Sequence, residues 1–127
     1  KVQPALLPGS VFALARTQYP PARAMIEAGL AVVLATDFNP GSSPIASMPF
    51  ILSLACLQMG LSPAEALTAA TVNAAHALGL GAQVGCLQPG MQADFLLHEF
   101  KDYREIAYFI AADARPRVFI AGREVTV

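Results

Sequence analysis

"LAVVLATDFNPGSSP", Leu30 to Pro44, is the stretch whose reading decides the fold. Its first half, Leu30 to Thr36, is aliphatic and β-branched, with no alternation of apolar and polar residues. That pattern predicts a strand buried on both faces, as in a parallel sheet covered by helices. Its second half gathers Asn39, Pro40, Gly41, Ser42 and Ser43 into a turn. Asp37 stands at the junction and admits two readings. It suits a turn or a helix cap, because its short side chain bonds nearby backbone. Parallel α/β folds also build their sites from loops at the carboxyl ends of strands, and a carboxylate there would face a metal or a catalytic water. The turn divides the same way. Asn-Pro-Gly is a tight turn in itself, while the N–H groups near Gly41, the Asn39 amide and the Ser42 hydroxyl together suit a substrate carboxylate.

Upstream, "PALLPGS" (Pro4 to Ser10) is a short apolar run closed by Pro-Gly, which predicts the end of a buried strand. "PPARAMIEAGL" (Pro20 to Leu30) predicts a helix with Pro21 in its first turn and Gly29 as its stop. Strand, helix, strand is the unit of a parallel α/β architecture. Downstream, Ser47 caps a helix running to Met59 and ended by Gly60, with Met48, Ile51, Leu52, Ala55 and Met59 on one face. Ser62, Pro63 and Glu65 spell a capping box. "NAAHALGLG" predicts a short helix capped by Asn73 and stopped by Gly79. From Gly81 the character changes. A Pro-Gly turn leads to a strand from Ala93 to about Phe100, with Cys86 in a strand before it. A helical or irregular piece follows near "YREIAYFIAADA", then a hairpin around Ala121-Gly122. The chain therefore reads as two regions, α/β over 1–80 and mainly β over 81–127.

Composition bounds the function. The 127 residues are 55% hydrophobic and 13% charged, with a mean hydropathy of +0.51. A domain of this size has a large surface to cover, so such oiliness points to faces buried against something else. A membrane is not that something, since clean apolar runs such as "AGLAVVLA" fall far below the ~20 residues a spanning helix needs. A net charge of −1 without a basic patch argues against nucleic acid. Cys56 and Cys86 form neither a disulfide framework nor a zinc knuckle, and read as buried or neutral thiols; with no signal-peptide pattern, a cytoplasmic protein is expected. No histidine is placed to activate either cysteine. His76 and His98 read as structural or surface residues. A zinc site needs three or four ligands, so a metal on Asp37 would draw its other ligands from elsewhere.

These segments together resemble the amidohydrolase superfamily. "LATDFNPGSSP" is similar to its loop after barrel strand eight, "LSPAEALTAATVNAAHALGL" to the helical segment that follows, and "VGCLQPGMQADFLL" to its Gly-x-Leu-x-x-Gly-x-x-Ala-Asp signature, through Gly85, Leu87, Gly90, Ala93 and Asp94. The run from Asp37 to Pro44 resembles the form found in the imidazolonepropionase family, as do "ALLPGS" and "DYREIAYFIAADARPRVFIAGREV". The resemblance covers essentially this whole chain but only the last third or so of a full enzyme. It implies strands seven and eight of a (β/α)8 TIM-like barrel with their helices, followed by part of a small β-sandwich domain. It implies hydrolysis of the ring C–N bond of 4-imidazolone-5-propanoate to N-formimidoyl-L-glutamate, with one zinc or iron ion activating water. Asp37 would be the strand-eight metal ligand and the acceptor of the water's proton. Asn39, Gly41 and Ser42 would hold the small-molecule substrate. Asp94 is expected to be structural. The remaining metal ligands would come from the rest of the barrel, so this chain alone is expected to be inactive; a homodimer is compatible. Another amidohydrolase, such as a deaminase or cyclic amidase, and a non-catalytic folded or oligomerising module are the competing expectations.

Overall fold

The structure, a computed structural model, describes residues 2–110 and 115–126. The first strand, β1 (Ala5–Leu6), pairs in parallel with β2 (Val33–Leu34), in the register Ala5 to Val33 and Leu6 to Leu34. Helices α1 (Pro8–Ala13) and α2 (Ala22–Glu27) lie between them in the chain. The expected strand-helix-strand order is therefore present, but its pieces are shorter than the sequence suggests. Pro4 accepts from the Val33 N–H and has no N–H to return, which limits the ladder at that end. At the other end Pro8 opens α1 instead of closing a strand, because its fixed φ suits a first helical position. Val32, Val33 and Leu34 are all buried, as a strand covered on both faces requires. In α2, neither Pro20 nor Pro21 can donate, so Pro21 takes the cap position and the helix starts at Ala22.

The core is built mainly by α3 (Met48–Met59) and α4 (Pro63–Ala70) against the strands, with α5 (Val72–Ala77) packed beside α4 and β2. Ser47 caps α3 by accepting from the Phe50 N–H, and Gly60 ends it at φ +70. Of the single face expected on α3, Ile51, Leu52, Ala55 and Met59 are buried, but so are Ser53 and Leu54. Ser53 is covered by α6 (Glu105–Tyr108), which packs on a second face, where the buried Ser53 hydroxyl donates to the Ala107 carbonyl at 2.7 Å. The capping box of Ser62 and Glu65 forms as read. Asn73 does not cap α5, because Thr71 holds that position. Its Nδ2 donates instead to the Val32 carbonyl at 2.9 Å, tying α5 to β2.

Glu65 also receives Arg23, with Nη1 3.1 Å from Oε1. The Arg23 hydrogen bond, helped by Ser62, holds the Glu65 carboxyl down at about 2, below its usual 4.5. A depressed carboxylate stabilises the fold above its unfolded pKa and loses that contribution as pH falls through the folded one. Thermal melts are thus expected to weaken between about pH 4.5 and about 2. Glu65→Gln should flatten that slope; an identical acid profile in the variant would refute the assignment. The pair is partly exposed, so the effect is small.

After Gly81 the chain turns irregularly to Asp94, and Cys86 lies exposed in this stretch rather than in a strand. Gly85 at φ +107 and Gly90 at φ +90 interrupt any extended pairing there. Then β3 (Phe95–Leu97), β4 (Arg117–Ile120) and β5 (Arg123–Val125) form an antiparallel sheet in that order. The hairpin turns at Ala121 and Gly122, both at positive φ, as a two-residue turn of this hand demands. Asp94 Oδ1 accepts from the Ala121 N–H at 2.8 Å, pinning the turn to the start of β3. Phe95 stacks on Phe119 at 4.5 Å. The part of the irregular piece that falls on 111–114 lies outside the described residues. Much apolar surface stays open, Leu78 being 74% and Leu87 70% exposed. Among the described residues no helix is long and apolar enough to cross a membrane.

Candidate active site

Because β1 and β2 run parallel, the segments leaving their carboxyl ends emerge side by side. One carries Ser10, four residues past Leu6, and the other carries Asp37, three past Leu34. They meet: Ser10 Oγ donates to Asp37 Oδ2 at 2.7 Å. Asp37 caps no helix, since the next one starts at Met48 under Ser47. It is exposed, at φ +52, a left-handed conformation that aspartate tolerates better than most residues.

The following loop is braced by Asn39. Its Oδ1 accepts from the N–H of Gly41 at 2.9 Å and of Ser42 at 2.8 Å. Its Nδ2 donates to the Asp37 carbonyl at 2.6 Å and to Ser42 Oγ at 3.2 Å. The Asn39 N–H donates to the Ser43 carbonyl, closing the loop's neck. The fully buried Ser43 donates its hydroxyl to the Thr36 carbonyl at 2.8 Å. The loop's shape is therefore set from within. Asn39, Gly41 and Ser42 stand together beside Asp37, with the amide and both N–H groups already engaged. Gly9 presses on this base, since a Cβ there would lie 2.9 Å from Ile51 Cδ1 and 3.2 Å from Ser43 Oγ. Gly9→Ala should cost about 1–3 kcal/mol through overpacking, measurable by chemical unfolding; no loss would show that the loop base is slack.

Ser10 and Ser43 were not singled out from the sequence. The signal for Ser10 was available: it follows a strand expected to lie parallel to β2, so its loop opens on the same edge. His76 sits exposed on α5, and His98 follows β3, stacked on Phe100 with its Nε2 buried and without a hydrogen-bond partner among the described residues. Neither joins Asp37, and no group of three or more His, Cys, Asp or Glu is placed to hold a metal among the described residues. A cavity of about 720 Å³ lies between α4, α5 and the segment around β3, lined by residues such as Leu67, Leu78, Val84, Phe95 and Ile106. It excludes Asp37 and its loop. Its walls are largely apolar, whereas the chemistry-bearing groups stand at the strand ends, so size does not identify the site.

A model of the amidohydrolase family matches residues 8–125. The chain belongs to the amidohydrolase family. It is 59% identical over 122 residues to an imidazolonepropionase of Solibacter usitatus, covering 96% of this chain and 29% of that protein. It is 48% identical over 120 residues to one from Geobacillus kaustophilus, covering 94% of this chain and 28% of that protein. The chain thus spans under a third of the length of these relatives. Among solved amidohydrolase-like structures, it overlays an adenosine deaminase from Xanthomonas campestris with bound zinc at TM-score 0.80 and 25% identity, over 94% of this chain and 31% of that one. A guanine deaminase of E. coli overlays at TM-score 0.77 and 24% identity, over 99% of this chain and 34% of that one, a likeness of fold. For an amidohydrolase metal, the donor set here fits in part. Asp37 offers a hard oxygen donor, and Oδ1 is not hydrogen-bonded by any described residue; no second ligand stands beside it among the described residues.

Proposed function

We propose that this chain is the carboxyl-terminal part of an imidazolonepropionase, in which β1 and β2 are barrel strands seven and eight and residues 81–127 belong to a small β-sandwich. The observation that carries the reading is the Asp37 carboxylate at the carboxyl end of a buried parallel strand, with Oδ2 held by Ser10 and Oδ1 without a hydrogen bond from any described residue. Likeness at 59% identity supports the substrate, 4-imidazolone-5-propanoate.

When bound, a zinc or iron ion supplies Lewis-acid polarisation and a water acidic enough to attack near neutral pH. Asp37 would ligate that ion through Oδ1 and accept the water's proton at its carboxylate. The Gly41 and Ser42 N–H groups, with the Ser42 hydroxyl, would take the substrate's carboxylate. Doing so exchanges bonds to the neutral Asn39 amide for charge-assisted ones, which are roughly twice as strong. Asn39 would keep the loop in shape through its Nδ2 bonds to the Asp37 carbonyl and Ser42 Oγ, and its freed Oδ1 would contact the substrate's polar atoms. The rest of the barrel would provide the other ligands and cover the exposed apolar faces. A cytoplasmic enzyme, free or as a homodimer, fits this chemistry.

The test is turnover by the full-length protein. Imidazolonepropionate should be converted to N-formimidoyl-glutamate, identified by mass spectrometry, with adenosine and guanine left intact. Deamination of a purine without turnover of imidazolonepropionate would favour the second reading, a deaminase, for which the overlay on the zinc-bound adenosine deaminase speaks. Asn39→Ala removes every hydrogen bond that the Asn39 side chain makes within the loop. It should raise KM more than it lowers kcat, with a stability loss of about 1–3 kcal/mol; an unchanged KM would contradict the loop's role in binding.

A further inference from the structure

We infer that Ser10 is a positioning residue for the Asp37 carboxylate: its hydroxyl fixes Oδ2 and leaves Oδ1 as the one oxygen presented to a cation. The inference rests on the reading of Asp37 as a metal ligand. A serine hydroxyl has one proton to give, so at 2.7 Å it can hold one carboxylate oxygen at a time. That separation is short enough for a charge-assisted bond. Among the described residues no other group bonds the carboxylate.

Ser10 is itself held in place. Pro8 and Gly9 before it are buried, and the missing Cβ of Gly9 lets the first turn of α1 close on Ser43 Oγ, the Thr36 carbonyl and Ile51 Cδ1. The same Thr36 carbonyl takes the Ser43 hydroxyl, so the segments on either side of the Ser10–Asp37 bond share one packed base. Asp37, by contrast, is exposed and left-handed, and its backbone is steadied through the Asn39 amide on its carbonyl. Without Ser10, its side chain would be free to rotate, presenting either oxygen or both. Partners that orient a ligand in this way typically contribute about 10- to 100-fold in metal affinity.

The experiment uses the full-length protein stripped of metal. Its Zn²⁺ affinity is measured by competition with a chromophoric chelator for wild type, Ser10→Ala, Ser10→Thr and Asp37→Asn, and the melting temperature of each metal-free form is recorded. Ser10→Ala should bind Zn²⁺ about 10- to 100-fold more weakly with an unchanged metal-free melting temperature, and Ser10→Thr, which keeps the hydroxyl, should recover most of that loss. Wild-type affinity in Ser10→Ala alongside a loss in Asp37→Asn overturns the positioning role and leaves the ligand reading standing. A Ser10→Ala loss that Ser10→Thr does not recover, or that comes with a lower metal-free melting temperature, also overturns it. Wild-type affinity in Asp37→Asn removes the ligand reading and this inference together.

Discussion

Asp37→Asn in the full-length protein is expected to bind less than one metal ion per chain and to lose nearly all hydrolysis of imidazolonepropionate. The substitution keeps the side chain's size, and the amide oxygen can still accept from Ser10. What it removes is the negative charge and the proton-accepting oxygen. Metal-ion stabilisation of a transition state is worth several kcal/mol, so kcat/KM should fall by roughly 10³-fold or more. Asparagine is also at home at the left-handed φ of +52, so the melting temperature of the metal-free protein should hardly move. Loss of activity with the metal retained would leave Asp37 a role in proton transfer but not as ligand. Full activity would remove it from the mechanism.

Ile51→Ala should produce the largest loss of stability. Ile51 is fully buried on α3 and touches the space beside Gly9, so it supports both the core and the base of the Asp37 loop. Truncation of a buried isoleucine to alanine costs about 2–5 kcal/mol, against roughly 0.5–1.5 for valine. Chemical unfolding of the full-length protein should show this ordering, with kcat/KM reduced in Ile51→Ala because the first turn of α1 and the Ser43 clamp lose their common support. A loss within about 1 kcal/mol for alanine would mean that the site collapses around the gap, and that Ile51 does not hold the loop.

Local signals in the sequence were those that survived best. Ser47 and Gly60 bracket α3, Ser62, Pro63 and Glu65 open α4, and Ala121-Gly122 turns the hairpin, because each depends on residues within a few positions of one another. The unalternating run before Asp37 revealed a strand covered on both faces, though its ladder is cut short by a proline on its partner. Pro8 misled in the other direction, since Pro-Gly reads as a closing turn and here begins a helix. The second buried face of α3 could not be read locally, because α6 supplies it from more than fifty residues away. The candidate site divides the same way. Asp37, Asn39, Gly41 and Ser42 were legible as a cluster within one loop. Ser10 lies 27 residues from Asp37, so its signal was not local: it rests on the parallel pairing that brings the two strand ends together. The Asn39 bonds were within local reach, being an asparagine side chain closing on backbone two and three residues ahead.

The most direct test of the account is anomalous diffraction from crystals of the full-length protein at the absorption edge of its metal. The account predicts one metal peak at the carboxyl end of β2, with Asp37 Oδ1 at about 2.0–2.2 Å and Oδ2 still on Ser10. A metal peak whose ligands do not include Asp37 would contradict it.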